Sequence, residues 1–109
     1  MGDQTLLGEL EQLVLLAIIR LDDRAYAVTI REEIEQQTGF ALSRGSIYVT
    51  LDRLEQKGYV ASWFADPTPE RGGKAKRYFK ARAVALRELR SCRLALLKMW
   101  DGIEATVKS

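Results

Sequence analysis

Apolar residues recur along this chain first at helical spacing, then in a β-prone run, then at helical spacing again. Leu6, Leu10, Leu13, Val14, Leu16, Ala17, Ile18 and Leu21 predict a helix from about Thr5 to Leu21, with the broad stripe of a helix central to a core. Asp22, Asp23 and Arg24 form a short polar turn, and either aspartate suits a cap for the next helix. That second helix runs from about Ala25 to Thr38, with Tyr26, Ile30 and Ile34 four residues apart, and Gly39 stops it. Phe40, Ala41 and Leu42 make a brief extended link. Ser43 is a good N-cap for a third helix, and Gly58 is a good residue just past its last turn.

In that third helix Ile47, Leu51 and Leu54 lie on one face. At about 100° per residue, Gly45, Ser46, Val49, Asp52 and Arg53 point the other way. The front of this outer face is small and hydroxylated, as suits close approach to another surface. Tyr59 to Phe64 then reads as a strand. Asp66 to Gly73 is dense in turn residues, and Lys74 to Lys80 reads as the returning strand. The connecting loop is long for a hairpin, and long loops on a rigid scaffold tend to carry function. From about Ala81 to Val107 the pattern is helical again. Leu86, Leu89, Arg93, Leu96, Trp100, Ile103 and Val107 come at alternating steps of three and four, close to a heptad seam. Such a helix, about 37 Å long at 1.5 Å per residue, exceeds the diameter of a core this small. Its apolar face needs either a second copy of the chain or its own domain folded back against it.

Charge sharpens this picture. The net charge is only +2, but residues 1–66 carry −5 and residues 67–109 carry +7. That asymmetry fits an anionic partner, or simply a solvated helix face. One cysteine, Cys92, and no histidine rule out a disulfide within the chain and leave too few ligands for a zinc site. No metal and no cofactor is expected. Catalysis has little to work with, since no carboxylate cluster or nucleophile–base set converges. The start, Met1 to Gln4, lacks the basic segment of a secretory signal, and Leu13 to Ile19 is too short to span a bilayer. These features point to a cytoplasmic protein without a membrane partner.

Helix, helix, helix, strand, basic loop, strand is the winged helix-turn-helix order. Three segments also resemble one family with that order, the PadR-like transcriptional regulators. Leu7 to Ile18 is similar to the family's opening helix; Ser43 to Val60 to its recognition helix and first wing strand; Arg71-Gly72-Gly73-Lys74-Ala75-Lys76-Arg77-Tyr78 to its wing. The short tail resembles the smaller branch, whose last helix mediates dimerisation. After Tyr78 the chain departs from the family pattern, with Lys80, Ala81 and Val84 where a leucine, a helix-starting threonine and a glycine often stand. The expected fold is mainly α with a small β-hairpin: a winged helix-turn-helix over residues 1–80, then a long dimerisation helix over 81–109.

The resemblance implies a dimeric regulator, expected to be a repressor, that binds double-stranded DNA at a palindromic operator. Ser43, Arg44, Ser46 and Thr50, at the cap and in the first two turns of the third helix, are DNA-binding candidates: Arg44 and Thr50 suit the phosphate backbone, and Ser46 suits the groove. Val49 suits a thymine methyl, and Arg53 suits a phosphate or guanine, or an ion pair with Asp52 or Glu55. Tyr48 and Tyr26 are phosphate-contacting hydroxyls by the resemblance and core braces by helical position. In the wing, Gly73 permits close approach, while Lys74, Lys76 and Arg77 supply charge. Leu86, Leu89, Leu96, Trp100, Ile103 and Val107 form the expected dimer seam. Trp100 either packs that seam or stacks on a planar aromatic ligand, as in short members that bind such compounds between their last helices. The alternative function is a winged-helix interaction module acting through its last helix. A basic amphipathic helix lying on a membrane fits less well, because the seam suits protein packing.

Overall fold

The computed structural model describes residues 7–65 and 75–107. Four helices and one antiparallel hairpin come in the order α1 (Glu9–Leu21), a 3-10 turn (Asp22–Arg24), α2 (Ala27–Thr38), α3 (Arg44–Gln56), β1 (Val60–Phe64), β2 (Arg77–Ala81) and α4 (Ala83–Trp100).

The core forms where the apolar stripes of the helices meet the inner face of the hairpin. Val14, Leu15 and Ile18 of α1, Ile30 and Ile34 of α2, and Ile47, Leu51 and Leu54 of α3 are all buried. Val60 and Phe79 close the core from the hairpin, and Ala85, Leu89 and Cys92 from the first turns of α4. The stripe expected on α3 is therefore the buried one. Ser43 caps that helix by accepting the Ser46 N–H at 3.1 Å. Gly58 ends it at φ +81°, in the left-handed region that disfavours a Cβ.

Two helix starts differ from the pattern. At α1, Gly8 is the cap residue, and its N–H donates to Oε1 of Glu11 at 2.8 Å. At α2, Asp22 and Asp23 are spent in the 3-10 turn, and the helix begins two residues later than expected. The Tyr26 N–H donates instead to the Thr29 hydroxyl at 3.0 Å.

The hairpin pairs Val60 with Ala81, Ser62 with Phe79 and Phe64 with Arg77. It is fastened to the helices by the Phe79 N–H, which donates to the Ala25 carbonyl at 2.9 Å, and by a bridge between Tyr26 and Tyr78. Among the described residues the second strand begins at Arg77, with Ala75 and Lys76 ahead of it; the expected start at Lys74 lies outside the described residues.

The last helix is shorter than the heptad pattern suggests. α4 stops at Trp100; Gly102 turns left-handed at φ +87°, and residues 101–107 form successive turns. Ile103 and Val107 are exposed on those turns, so they do not continue a helical seam. Leu89 also departs from the expected seam, since it packs into its own chain's core. From Arg93 onward every residue of α4 is exposed, including Leu94, Leu96, Leu97, Met99 and Trp100.

Candidate nucleic-acid interface

Because Ile47, Leu51 and Leu54 anchor α3 in the core, geometry turns Arg44, Gly45, Ser46, Tyr48, Val49 and Arg53 outward, and all six are exposed. Val49 is 56% exposed and Tyr48 51%, too bare for residues whose only role is packing. An ideal Cβ added at Gly45 meets nothing within 4 Å, so this stretch of α3 is open to any approaching surface.

Tyr48 stands between two hollows. One, of about 420 Å3, lies between the start of α2 and the hairpin and is walled by Tyr26, Val28, Phe64 and Lys76. The other, of about 670 Å3, runs between α2 and α3 past Arg31 and Arg44. Tyr26 braces the base of the wing. Its ring meets Tyr78 edge-on at 5.4 Å, Tyr78 stacks on Trp63 at 6.2 Å, and the Tyr26 hydroxyl accepts from Lys76 Nζ at 2.8 Å. Lys76 also lies 4.0 Å from the centre of the Tyr26 ring. These two expected site residues are therefore brought together, on the same side as the outer face of α3.

Three expected site residues have other partners. Thr50 is buried, and its hydroxyl donates to the Ser46 carbonyl at 2.7 Å; the helical turn carries it toward the core, and it offers nothing to a phosphate. The Ser43 hydroxyl serves the cap and donates to Ser46 Oγ at 2.9 Å. Arg77 is not a free wing cation. Its guanidinium is paired with Glu55, lies 3.4 Å from Asp52 Oδ1, and donates from Nε to Ser62 Oγ at 3.2 Å. Arg77, rather than Arg53, takes the carboxylates of α3, and among the described residues Arg53 makes no ion pair. Gly73 and Lys74 lie outside the described residues.

Two contacts that hold the interface in place have no signature in the sequence pattern. Glu11 of α1 is buried and paired with Lys57 Nζ at 2.7 Å, which fixes the end of α3 to the central helix. Arg31 of α2 donates from Nε to the Leu42 carbonyl and fixes the link ahead of α3. Neither spacing is periodic, so nothing local announces it. Among the described residues there is no cluster of metal ligands, and no helix is long and apolar enough to cross a membrane.

A three-helix unit whose third helix is bare on one side, with a hairpin docked beside it, defines a winged helix-turn-helix. The chain belongs to the PadR-like family of transcriptional regulators, whose model matches residues 15–83. No curated protein matches it in sequence. Solved structures share the fold. A transcriptional regulator from Clostridium thermocellum superposes with a TM-score of 0.73 at 19% identity, over 90% of this chain and 92% of that one. A PadR family regulator from Eggerthella lenta gives 0.69 at 24% identity, over 93% and 88%. The PcaV regulator from Streptomyces coelicolor, solved with its natural ligand, gives 0.69 at 17% identity, over 94% and 64%.

Proposed function

We propose that this PadR-like regulator is a homodimeric repressor that binds a palindromic operator in cytoplasmic DNA. The outer face of α3 enters the major groove, and the hairpin lies on the flanking backbone. The observation that carries this reading is the bare face of α3, from Arg44 to Arg53, on a helix whose opposite face is fully buried. Arg44 and Ser46 sit at its positive N-terminal end and suit phosphate; Val49 and Arg53, one and two turns on, suit base edges. Tyr26, Tyr48 and Lys76 bracket them as backbone contacts, with Lys74 and Gly73 carried by the wing.

The division of labour runs along the chain: residues 1–80 bind DNA, and residues 81–109 dimerise. Leu86, Leu96 and Trp100 are between 41% and 53% exposed, on a helix that is exposed at every residue from Arg93 onward. A second copy supplies the cover that this apolar surface needs.

A signal enters at the same place. Trp100, Leu96 and Leu97 of α4 and Leu16 of α1 line an apolar groove of about 470 Å3. Its indole suits a planar aromatic ligand that shifts the dimer between binding and non-binding forms.

Selection of bound fragments from a genomic pool, with titration of the recovered duplex, tests the reading. The expected result is a palindromic site whose affinity falls steeply with salt. Arg53→Ala is expected to cost about 1–3 kcal/mol on that site if it reads a base. A protein that binds random and selected duplexes alike, and is indifferent to Arg44→Ala and Arg53→Ala, is not a sequence-specific regulator. Sedimentation at micromolar concentration tests the dimer: a monomer there overturns it. Quenching of Trp100 fluorescence by planar aromatics, lost in Trp100→Phe, tests the signal.

A further inference from the structure

Arg77 looks from the sequence like one more cation for the DNA backbone, but its surroundings give it a different task. It is the first residue of β2, opposite Phe64. Its guanidinium lies over the Phe79 ring, with Cζ 5.0 Å from the ring centre. Every nitrogen of the guanidinium has an acceptor: Nε has Ser62 Oγ, one terminal nitrogen has Asp52 and the other has Glu55. Ser62 in turn donates to the second oxygen of Glu55 at 2.8 Å. The network ties both hairpin strands to the recognition helix. Two carboxylates face one guanidinium, so the local charge is already negative. Asp52, 60% exposed, carries that negative charge to the rim of the groove-facing side.

We propose that Asp52 and Glu55 withhold Arg77 from DNA. Arg77 is a positioning residue that sets the wing against α3, and the two carboxylates keep its charge out of sequence-independent phosphate binding. The arrangement favours specificity over affinity. A nonspecific duplex is bound through phosphates alone, so a cation removed from that count weakens nonspecific binding. Contacts from Val49 and Arg53 to base edges are unaffected. The exposed Asp52 adds repulsion against any phosphate that approaches α3 out of register.

This inference rests on the DNA-binding reading, and a charge cycle separates the two. The proteins are wild type, Arg77→Gln, Asp52→Asn/Glu55→Gln, and the triple variant, each titrated with a random-sequence duplex over a range of salt. The slope of log affinity against log salt counts the phosphates neutralised, at about 0.9 for each. In the wild-type background Arg77→Gln is expected to leave the slope unchanged. In the Asp52→Asn/Glu55→Gln background the same substitution is expected to lower it by about 0.9 for each Arg77. The general effect of net charge cancels, because Arg77→Gln removes one charge in both. An equal drop in the two backgrounds means that Arg77 already contacts phosphate; no drop in either means that it never reaches one. Each result overturns the proposal. Arg77→Met, which keeps a long unbranched side chain beside Phe79, replaces the glutamine variant if that one does not fold. Wild type that leaves the duplex unbound refutes DNA binding itself and the withholding with it. Binding with the wrong cycle refutes only the withholding.

Discussion

Substitution of Lys57 and Glu11 tests how firmly the recognition helix is held. The Glu11 side chain is only 6% exposed, whereas Lys57 is 37% exposed. The two ends of the pair are therefore unequal. Lys57→Met strands a buried carboxylate whose remaining donor is the Gly8 N–H. Glu11→Gln keeps an acceptor for that N–H and releases a lysine that water can reach. Breaking a fully buried pair costs about 3–5 kcal/mol, and solvent screening at Lys57 lowers this to about 2–3 kcal/mol for Lys57→Met. Glu11→Gln is expected to cost about 1 kcal/mol. In thermal melts at one fixed protein concentration these become losses of roughly 10 °C and 5 °C. Acid adds a second test. Burial works to raise the Glu11 pKa, but the hydrogen bonds from Lys57 and Gly8 and the charges of Lys57 and Arg53 outweigh it, and the pKa is lowered. In wild type the pair's contribution is therefore present above the unfolded carboxyl value and is lost as pH falls through the lower folded one. In Lys57→Met the hydrogen bond and the charge of Lys57 are gone, burial weighs more against the carboxylate, and less stability is left for acid to remove. The gap between the two proteins should narrow from neutral pH to about pH 3. A gap that stays constant, or a Glu11→Gln protein less stable than Lys57→Met, refutes the reasoning.

Other substitutions separate scaffold from contact surface. Gly58→Ala places a Cβ at φ +81° and is expected to lower stability by about 1–2 kcal/mol, seen as an earlier denaturant midpoint. Gly45→Ala has open space around it and a helical backbone. It should raise stability by up to about 1 kcal/mol while weakening operator binding, and unchanged binding would mean that α3 does not approach DNA at this point. Thr50→Val removes a buried hydroxyl bonded to the Ser46 carbonyl. It should cost about 1 kcal/mol of stability and leave the operator Kd unchanged; a weakened Kd in a stable protein would return Thr50 to the interface.

Periodicity is what makes most of this fold legible in the sequence. Ile47, Leu51 and Leu54 determine which side of α3 is buried, and hence that Val49 and Arg53 face out, because a 3.6-residue repeat sets both faces together. The cap at Ser43 and the left-handed Gly58 are equally local and can be read directly. Thr50 misleads because its hydroxyl has the chemistry of a phosphate contact but the angle of a core residue. Its carbonyl partner four residues back satisfies it without solvent. Arg77 misleads for a different reason: its partners Asp52 and Glu55 are far away in the chain, and only the docking of the hairpin on α3 brings them together. The end of α4 shows the limit of a heptad pattern. Ile103 and Val107 keep the right spacing past Trp100, but Gly102 turns the chain left-handed between them and the helix.

Only Arg82 separates the end of β2 from the start of α4, and its N–H extends the hairpin by donating to the Tyr59 carbonyl at 2.9 Å. A hinge has no room there. In the proposed dimer α4 is therefore a rigid ruler: the angle at which two copies cross sets the distance between the two wings, and so the phase of the half-sites along the duplex. One residue inserted at Arg82 would rotate α4 by about 100° about its axis. Leu96 and Trp100 would turn with it, and two subunits that still paired through them would no longer present both copies of α3 to one face of the duplex.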